Sequence, residues 1–409
     1  MKVLLLAPMI DPTASGEELS CFELVSELTK HVDIELIALT AQNRDYEISD
    51  HFPNIKVHCT RSWPTGKIHE RIDALAKPNY LKFQAFAAKL LRETIDISQF
   101  VCAHQCGPLA LRYASPLRSV DLPYIIGPLG GSLSAPSAFN QGQGDYPWYY
   151  RFRDLDGLRF RNSKSLQQTY AKAEFVVGAA EYVQKLLSHI MLKGFRTQAE
   201  VAAPTPAHNV SDIIDMRFQT RGPVKFLTVG RLVPSKGHLF ALNALKSADL
   251  TNKNWTWDIL GDGPEREAIQ TKISEFGLTE KVRVHGQVPM QDVNSFYDRS
   301  DVFLFPSIRE PSGRVVFEAM SRGLPMVVAN YGGPEAHVTS AFGIKVDVDS
   351  EDQFVAEITR AATNLIEHPD RRREMANAAV KEAREKHSIE ARAKFFAGLY
   401  EEASSNRTA

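Results

Sequence analysis

The apolar positions of this chain come in short unbroken runs, and the stretches between them are spaced for helices. Lys2 to Ala7, Asp33 to Thr40, Phe100 to Ala103, Tyr124 to Gly127 and Glu174 to Gly178 each hold several consecutive apolar residues. Such runs predict strands buried on both faces of a parallel sheet. Between the first two, Glu17 to about Lys30 carries Leu19, Phe22, Leu24, Val25 and Leu28 as an apolar stripe, with Gly16 just ahead of it. The rhythm restarts after Ala203-Pro-Thr-Pro-Ala-His-Asn209, which reads as a linker. Strands are predicted at Val224 to Val229, Trp255 to Leu260, Val282 to His285, Asp301 to Phe305 and Met326 to Ala329, with helical spacing between them. Strand alternating with helix on both sides of a linker predicts an α/β fold of two Rossmann-like domains. The expected bounds are 1–205 and 206–388, followed by a last helix from Ile389.

Composition narrows the class. At 409 residues the chain exceeds one typical core, and 44% hydrophobic with 24% charged residues is ordinary for a globular protein. A formal net charge of −1 gives no support to bulk binding of nucleic acid. Cys21, Cys59, Cys102 and Cys106 have neither zinc spacing nor the density of a disulfide scaffold, so reduced thiols in a cytoplasmic protein are expected. The opening apolar strand breaks at Pro8, too soon for a signal sequence, and no apolar run nears the 18 or so residues that span a bilayer.

Candidate chemistry concentrates between Ser307 and Val328. An apolar strand ends at Pro306, a loop holds Glu310, Pro311 and Gly313, and a helix predicted from Arg314 to Arg322 holds Glu318. Four helical residues rise about 6 Å and the loop adds more, so the two carboxylates are set to hold separate parts of an extended ligand. The N-terminus of that helix suits a phosphate. From spacing alone, a loop charge and a solvated helix face account equally well for the pair. Upstream, Gly230-Arg-Leu-Val-Pro-Ser-Lys-Gly237 follows a strand, where Arg231 can fork a diphosphate and Lys236 add a point charge. His104 falls at the carboxyl end of a predicted strand, where open α/β sheets bind ligands. Read from the residues alone, Gly16 lets the chain turn into the first helix. Acidic Asp-x-Asp strings at Asp154/Asp156 and Asp347/Asp349 adjoin neither loop, and no metal is assigned.

Ser307, Glu310, Pro311, Gly313, Glu318, Ala319, Met320, Gly323, Pro325 and Val327 resemble the E-x7-E signature of the retaining glycosyltransferase family 4, whose fold is GT-B. The loop from Gly230 to Gly237 is similar to that family's phosphate loop. Ser312 stands where an aromatic is usual and Arg314 where an aliphatic is usual, which bears on the donor's identity. The resemblance implies two domains facing a central cleft, with the C-terminal helix, about 389–409, crossing back to the first. It implies retaining transfer of a sugar from a nucleotide diphosphate to a hydroxyl acceptor, with no metal or other cofactor. By the same resemblance Glu310 hydrogen-bonds the transferred sugar, His104 contacts that sugar, and Glu318 holds the ribose. Arg231, Lys236 and the helix start at Gly313, Arg314 and Val315 receive the diphosphate, Gly16 approaches it from the first domain, and Val288 borders the base.

The rival readings are another GT-B enzyme, such as a sugar-nucleotide epimerase, and a non-catalytic sugar-nucleotide-binding protein. Basic and aromatic residues gather at Arg61 to Arg92 and Tyr146 to Lys172. Either solvated helices or a surface for an anionic partner would produce that mixture. The expected acceptor is a saccharide or lipid-linked saccharide of cell-surface glycan synthesis. The expected place is the cytoplasm, with weak peripheral association at the inner membrane face.

Overall fold

The computed structural model describes residues 1–14, 16–42, 45–63, 78–139, 156–219 and 222–408. Ser15, the middle of the Arg61 to Arg92 stretch, and Trp148, Tyr149, Tyr150, Phe152 and Asp154 lie outside them. The chain forms two compact units. Among the described residues no helix is long and apolar enough to cross a membrane.

The first unit holds a sheet of seven strands: β1 Lys2–Ala7, β2 Asp33–Thr40, β3 Lys56–Arg61, β4 Cys102–Gln105, β5 Tyr124–Leu129, β6 Phe175–Gly178 and β7 Phe195–Thr197. Their order is β3-β2-β1-β4-β5-β6-β7, every pair parallel. Consecutive residues of β1 point to opposite faces. Leu4 and Leu6 meet Tyr80, Phe83, Ala87 and Leu91 of the helix Pro78–Glu93. Val3 and Leu5 meet Cys21, Leu24, Val25 and Leu28 of the helix Glu17–Leu28. The C-terminal helix Ile389–Thr408 joins that second face through Ala393, Phe396, Leu399, Tyr400 and Ala403, all buried. Burying Phe396, Leu399 and Tyr400 stabilises the docking by roughly 1.5–3 kcal/mol for each large side chain.

The second unit holds β8 Val224–Val229, β9 Trp255–Leu260, β10 Val282–Gly286, β11 Val302–Phe305, β12 Met326–Ala329 and β13 Gly343–Val346. They are ordered β10-β9-β8-β11-β12-β13, also parallel. The chain winds outward from β8 in one direction and then from β11 in the other. The neighbouring carboxyl ends of β8 and β11 are therefore a topological switch point, the place where such sheets take ligands. Trp255 and Trp257 fill the core, with the Trp257 indole N–H donating to Thr228 Oγ1 at 3.0 Å.

Two features differ from expectation. The division falls between Val201 and Ala202, and an upstream stretch beginning at Leu133 packs with the second unit. The cause is Phe139, which is buried edge-on between Phe240 and Phe354 of that unit. The strand predicted at Phe100 to Ala103 runs instead as Cys102–Gln105, because polar His104 and Gln105 find partners inside the core and extend the ladder.

Candidate functional site

The loop after β8 is braced from both sides. The Leu232 N–H donates to the Asp262 carbonyl at 3.0 Å and the Glu265 N–H to the Leu232 carbonyl at 3.1 Å. Gly237 has φ +73°, and a Cβ there would overlap the Pro306 carbonyl at the end of β11. Only glycine allows that approach. The Ser235 carbonyl accepts from the Ile308 N–H at 3.0 Å and from Ser307 Oγ at 3.1 Å. These bonds fix the Gly230–Gly237 loop against the stretch that carries Glu310.

As a result Lys236 Nζ lies on Glu310 Oε2, with the two side chains 19% and 14% exposed. The ammonium also sits 4.9 Å from the centre of the Phe305 ring, a cation–π distance. Gly313, at φ +84°, precedes the helix Arg314–Ser321. The Val316 N–H closes the first turn on the Gly313 carbonyl at 2.8 Å. An anion at this helix end would meet the N–H groups ahead of it, at Arg314 and Val315. One turn further, Glu318 Oε2 accepts from the Tyr297 hydroxyl at 2.9 Å, which aims the half-buried carboxylate. Burial, and then the Glu318 charge, push the Tyr297 phenol well above its ordinary range, so it stays a donor. Arg231 is exposed at the rim of the same loop.

The second unit thus brings Arg231, Lys236, Glu310, Gly313, Arg314, Val315 and Glu318 onto two adjoining loops and one helix. Val288 is half-buried beyond Gly286, whose φ of +72° leaves room for the Arg266 guanidinium. Among the described residues no three His, Cys, Asp or Glu side chains are grouped to hold a metal ion.

In the first unit Gly16, at φ +71°, stands at the N-terminus of the helix Glu17–Leu28, with open space where a Cβ would go. His104 is corrected from ligand contact to core residue. It is fully buried, its Nδ1 meets the Tyr400 hydroxyl at 2.7 Å, and its Nε2 meets the Gly127 carbonyl at 2.8 Å. Its ring stacks on Phe396 at 4.6 Å. With both nitrogens engaged, it offers a sugar nothing; its role is to seat the C-terminal helix.

Residues 213–384 match the sequence pattern of the family described as glycosyl transferases group 1. The 2-deoxystreptamine glucosyltransferase of Streptomyces kanamyceticus is 32% identical over 287 residues, 68% of this chain and 72% of that protein. The chain belongs to the group 1 glycosyl transferases.

A lipopolysaccharide core biosynthesis glycosyltransferase of Rhizobium meliloti, LpsD, is 32% identical over 133 residues, 32% of this chain and 37% of that protein. Among solved structures, HepE of Anabaena, in complex with UDP and glucose, aligns with a TM-score of 0.61 at 16% identity, over 98% of this chain and all of that one. Sucrose-phosphate synthase from Thermosynechococcus elongatus gives 0.62 at 16%, over 99% and 100%. At these identities the structures show the shared GT-B fold.

Sequence reasoning missed several residues around this candidate site. Tyr297, which orients Glu318, lies in an amphipathic helix and reads as ordinary core. Gly332 and Gly333 press on the Glu310 loop, the Gly333 N–H donating to the Glu310 carbonyl at 2.8 Å. The pair of glycines after β12 was the available signal. Buried His238, which follows Gly237, has neither ring nitrogen bonded, and burial, then the Lys236 charge, press its pKa down to about 3.

Proposed function

We propose that this glycosyltransferase moves a sugar from a nucleoside diphosphate donor to a hydroxyl group of a saccharide or lipid-linked saccharide. It does so with retention of anomeric configuration and without a resident metal. The observation that carries this reading is the Lys236–Glu310 contact at the switch point of the second sheet. A cation and a carboxylate held side by side and mostly buried suit the two ends of a breaking glycosyl–phosphate bond. As the anomeric carbon parts from the phosphate oxygen, Lys236, Arg231 and the helix start at Gly313 take up negative charge on the diphosphate. Glu310 faces the positive charge developing on the sugar. The acceptor oxygen makes the new bond and its proton leaves on the departing phosphate, so charge and atoms balance. Glu318, aimed by Tyr297, receives the ribose hydroxyls.

Retention and family 4 membership are supported by the match of Glu310 to Glu318 with the E-x7-E pattern. The solved HepE complex makes UDP the first nucleotide to test. One relative is named for 2-deoxystreptamine and another for lipopolysaccharide core, so both a free and a lipid-linked acceptor belong in the assay. Surface association is supported by Trp63, half exposed, with Lys82 Nζ 5.6 Å from its ring centre. The deciding experiment is a nucleotide-release screen of UDP, GDP and ADP sugars with each acceptor class. Glu310→Gln should slow transfer far more than it weakens donor binding. Release without any acceptor would favour an epimerase, and binding without release a sensor. Equal rates for Glu310→Gln and the parent would refute the assignment.

A further inference from the structure

Glu310 does not stand on its loop alone. On its N-terminal side Arg309 Nε donates to the Leu133 carbonyl at 2.8 Å. On its C-terminal side the Glu310 carbonyl accepts from the Gly333 N–H at 2.8 Å. A Cβ on Gly332 would lie 2.5 Å from that same carbonyl and 2.8 Å from Leu133 Cδ2. Next to Gly332, the Tyr331 hydroxyl donates to the Ser134 carbonyl at 2.9 Å. The contacts close a ring through Glu310, Gly333, Tyr331, Ser134, Leu133 and Arg309. Five residues beyond Ser134, Phe139 is buried between Phe240 and Phe354, at ring separations of 5.2 and 5.4 Å. The clasped stretch is thus anchored in the hydrophobic core and cannot drift with a surface loop.

We infer that Arg309 and Tyr331 are positioning residues for transfer: by clasping the Leu133–Ser134 backbone they hold the Glu310 carboxylate where the sugar reacts. The inference rests on the reading of Glu310 given above. The clasp bonds do not involve Lys236, Arg231 or Glu318, the groups assigned to the nucleotide. Loosening it therefore acts on the chemical step and leaves nucleotide affinity in place. A shift of about 1 Å in a reacting group can cost a hundredfold in rate, whereas affinity held by other contacts is untouched.

The test is a set of variants of the full chain: Arg309→Ala, Arg309→Lys, Tyr331→Phe, Glu310→Gln and Arg309→Ala with Glu310→Gln. Each is assayed for kcat and KM with the donor that the screen identifies, for UDP affinity by calorimetry, and for thermal unfolding. Arg309→Ala should lower kcat by about tenfold to a hundredfold with UDP affinity within about threefold of the parent. Arg309→Lys should recover part of the rate, and Tyr331→Phe should lose about threefold to tenfold without a shift in unfolding. On the Glu310→Gln background Arg309→Ala should cost little more, because both changes remove the same contribution. The clasp is refuted if kcat survives Arg309→Ala, if the two losses multiply, or if UDP affinity falls in step with kcat, which would make Arg309 a ligand contact. An inactive Glu310→Gln beside a fully active Arg309→Ala overturns this inference alone. A fully active Glu310→Gln overturns the reading of Glu310 and the inference with it.

Discussion

Replacing Phe139 by alanine tests how the second unit is built. The ring is 3% exposed and meets Phe240 and Phe354 nearly edge-on, at interplanar angles of 87° and 82°. Truncating a buried phenylalanine costs about 3–5 kcal/mol, since the lost transfer energy adds to the cavity left behind. The two edge-to-face pairs place Phe139 toward the upper part of that range. A loss of about 4 kcal/mol in a unit of this size lowers its midpoint by roughly 8–16 °C. Trp255 and Trp257 are buried in the same core, so with Trp63 and Trp148 replaced by phenylalanine their fluorescence reports this unit's unfolding in urea or on heating. Phe139→Leu keeps most of the volume and should cost about 1.5 kcal/mol or less. A tryptophan transition that moves by less than about 1 kcal/mol in Phe139→Ala would show that the segment after Leu133 is not part of this core.

The other predictions concern charge. Lys236→Ala should weaken binding of a nucleoside diphosphate by about tenfold or more, because a charge-assisted contact is worth about 1.5–3 kcal/mol, and should weaken the monophosphate less; equal losses in calorimetry place this lysine elsewhere. Glu318→Gln should raise the Kd for nucleotide while kcat at saturating donor changes little, and the opposite pattern would interchange the two glutamates' roles. His238 stays neutral in the fold down to about pH 3, whereas the unfolded chain takes a proton near 6.5. Stability should therefore fall as pH drops below 6.5, by at most about 1.4 kcal/mol per pH unit from this residue. His238→Leu should flatten that limb in urea titrations between pH 6 and 4, and an unchanged slope would exclude the histidine as its source. Chelator should leave transfer largely intact, since Lys236 and Arg231 are assigned the role a metal would take; activity lost to chelator and restored by magnesium would overturn that.

The architecture was legible because buried parallel strands are rich in apolar residues, unbroken from Val3 to Ala7 in β1 and through β12, and interrupted only by single polar residues in β2, β8 and β9. The edge strands β3 and β13 escaped notice, being only partly buried and mixed in composition. The grouping of the second unit's candidate residues was legible for a similar reason. Gly237 and Gly313 mark close approaches, and Lys236, Glu310 and Glu318 lie near those glycines in the chain. His104 shows the limit. Its place at a strand end is right for a ligand, but the partner that claims its Nδ1 is Tyr400, 296 residues away, which no local pattern announces. The Arg309 and Tyr331 clasp was invisible for the same cause, because it depends on a segment whose only mark is one phenylalanine.

Every strand of the first unit's sheet is made before those of the second unit, yet one hydrophobic face of that sheet is closed by Phe396, Leu399 and Tyr400, which come after both. The second unit also borrows from upstream, through Phe139, but everything it needs has been made once residue 388 emerges. The order of synthesis and the order of completion are therefore reversed. Until residues 389–408 are made, the first unit lacks Ala393, Phe396, Leu399, Tyr400 and Ala403, the side chains that complete the core beside the helix Glu17–Leu28 and the Cys21 and Cys106 thiols. A stalled ribosome or a stop codon late in the message would leave an intact second unit tethered to a first unit with an open, sticky face, a species open to aggregation and to chaperones.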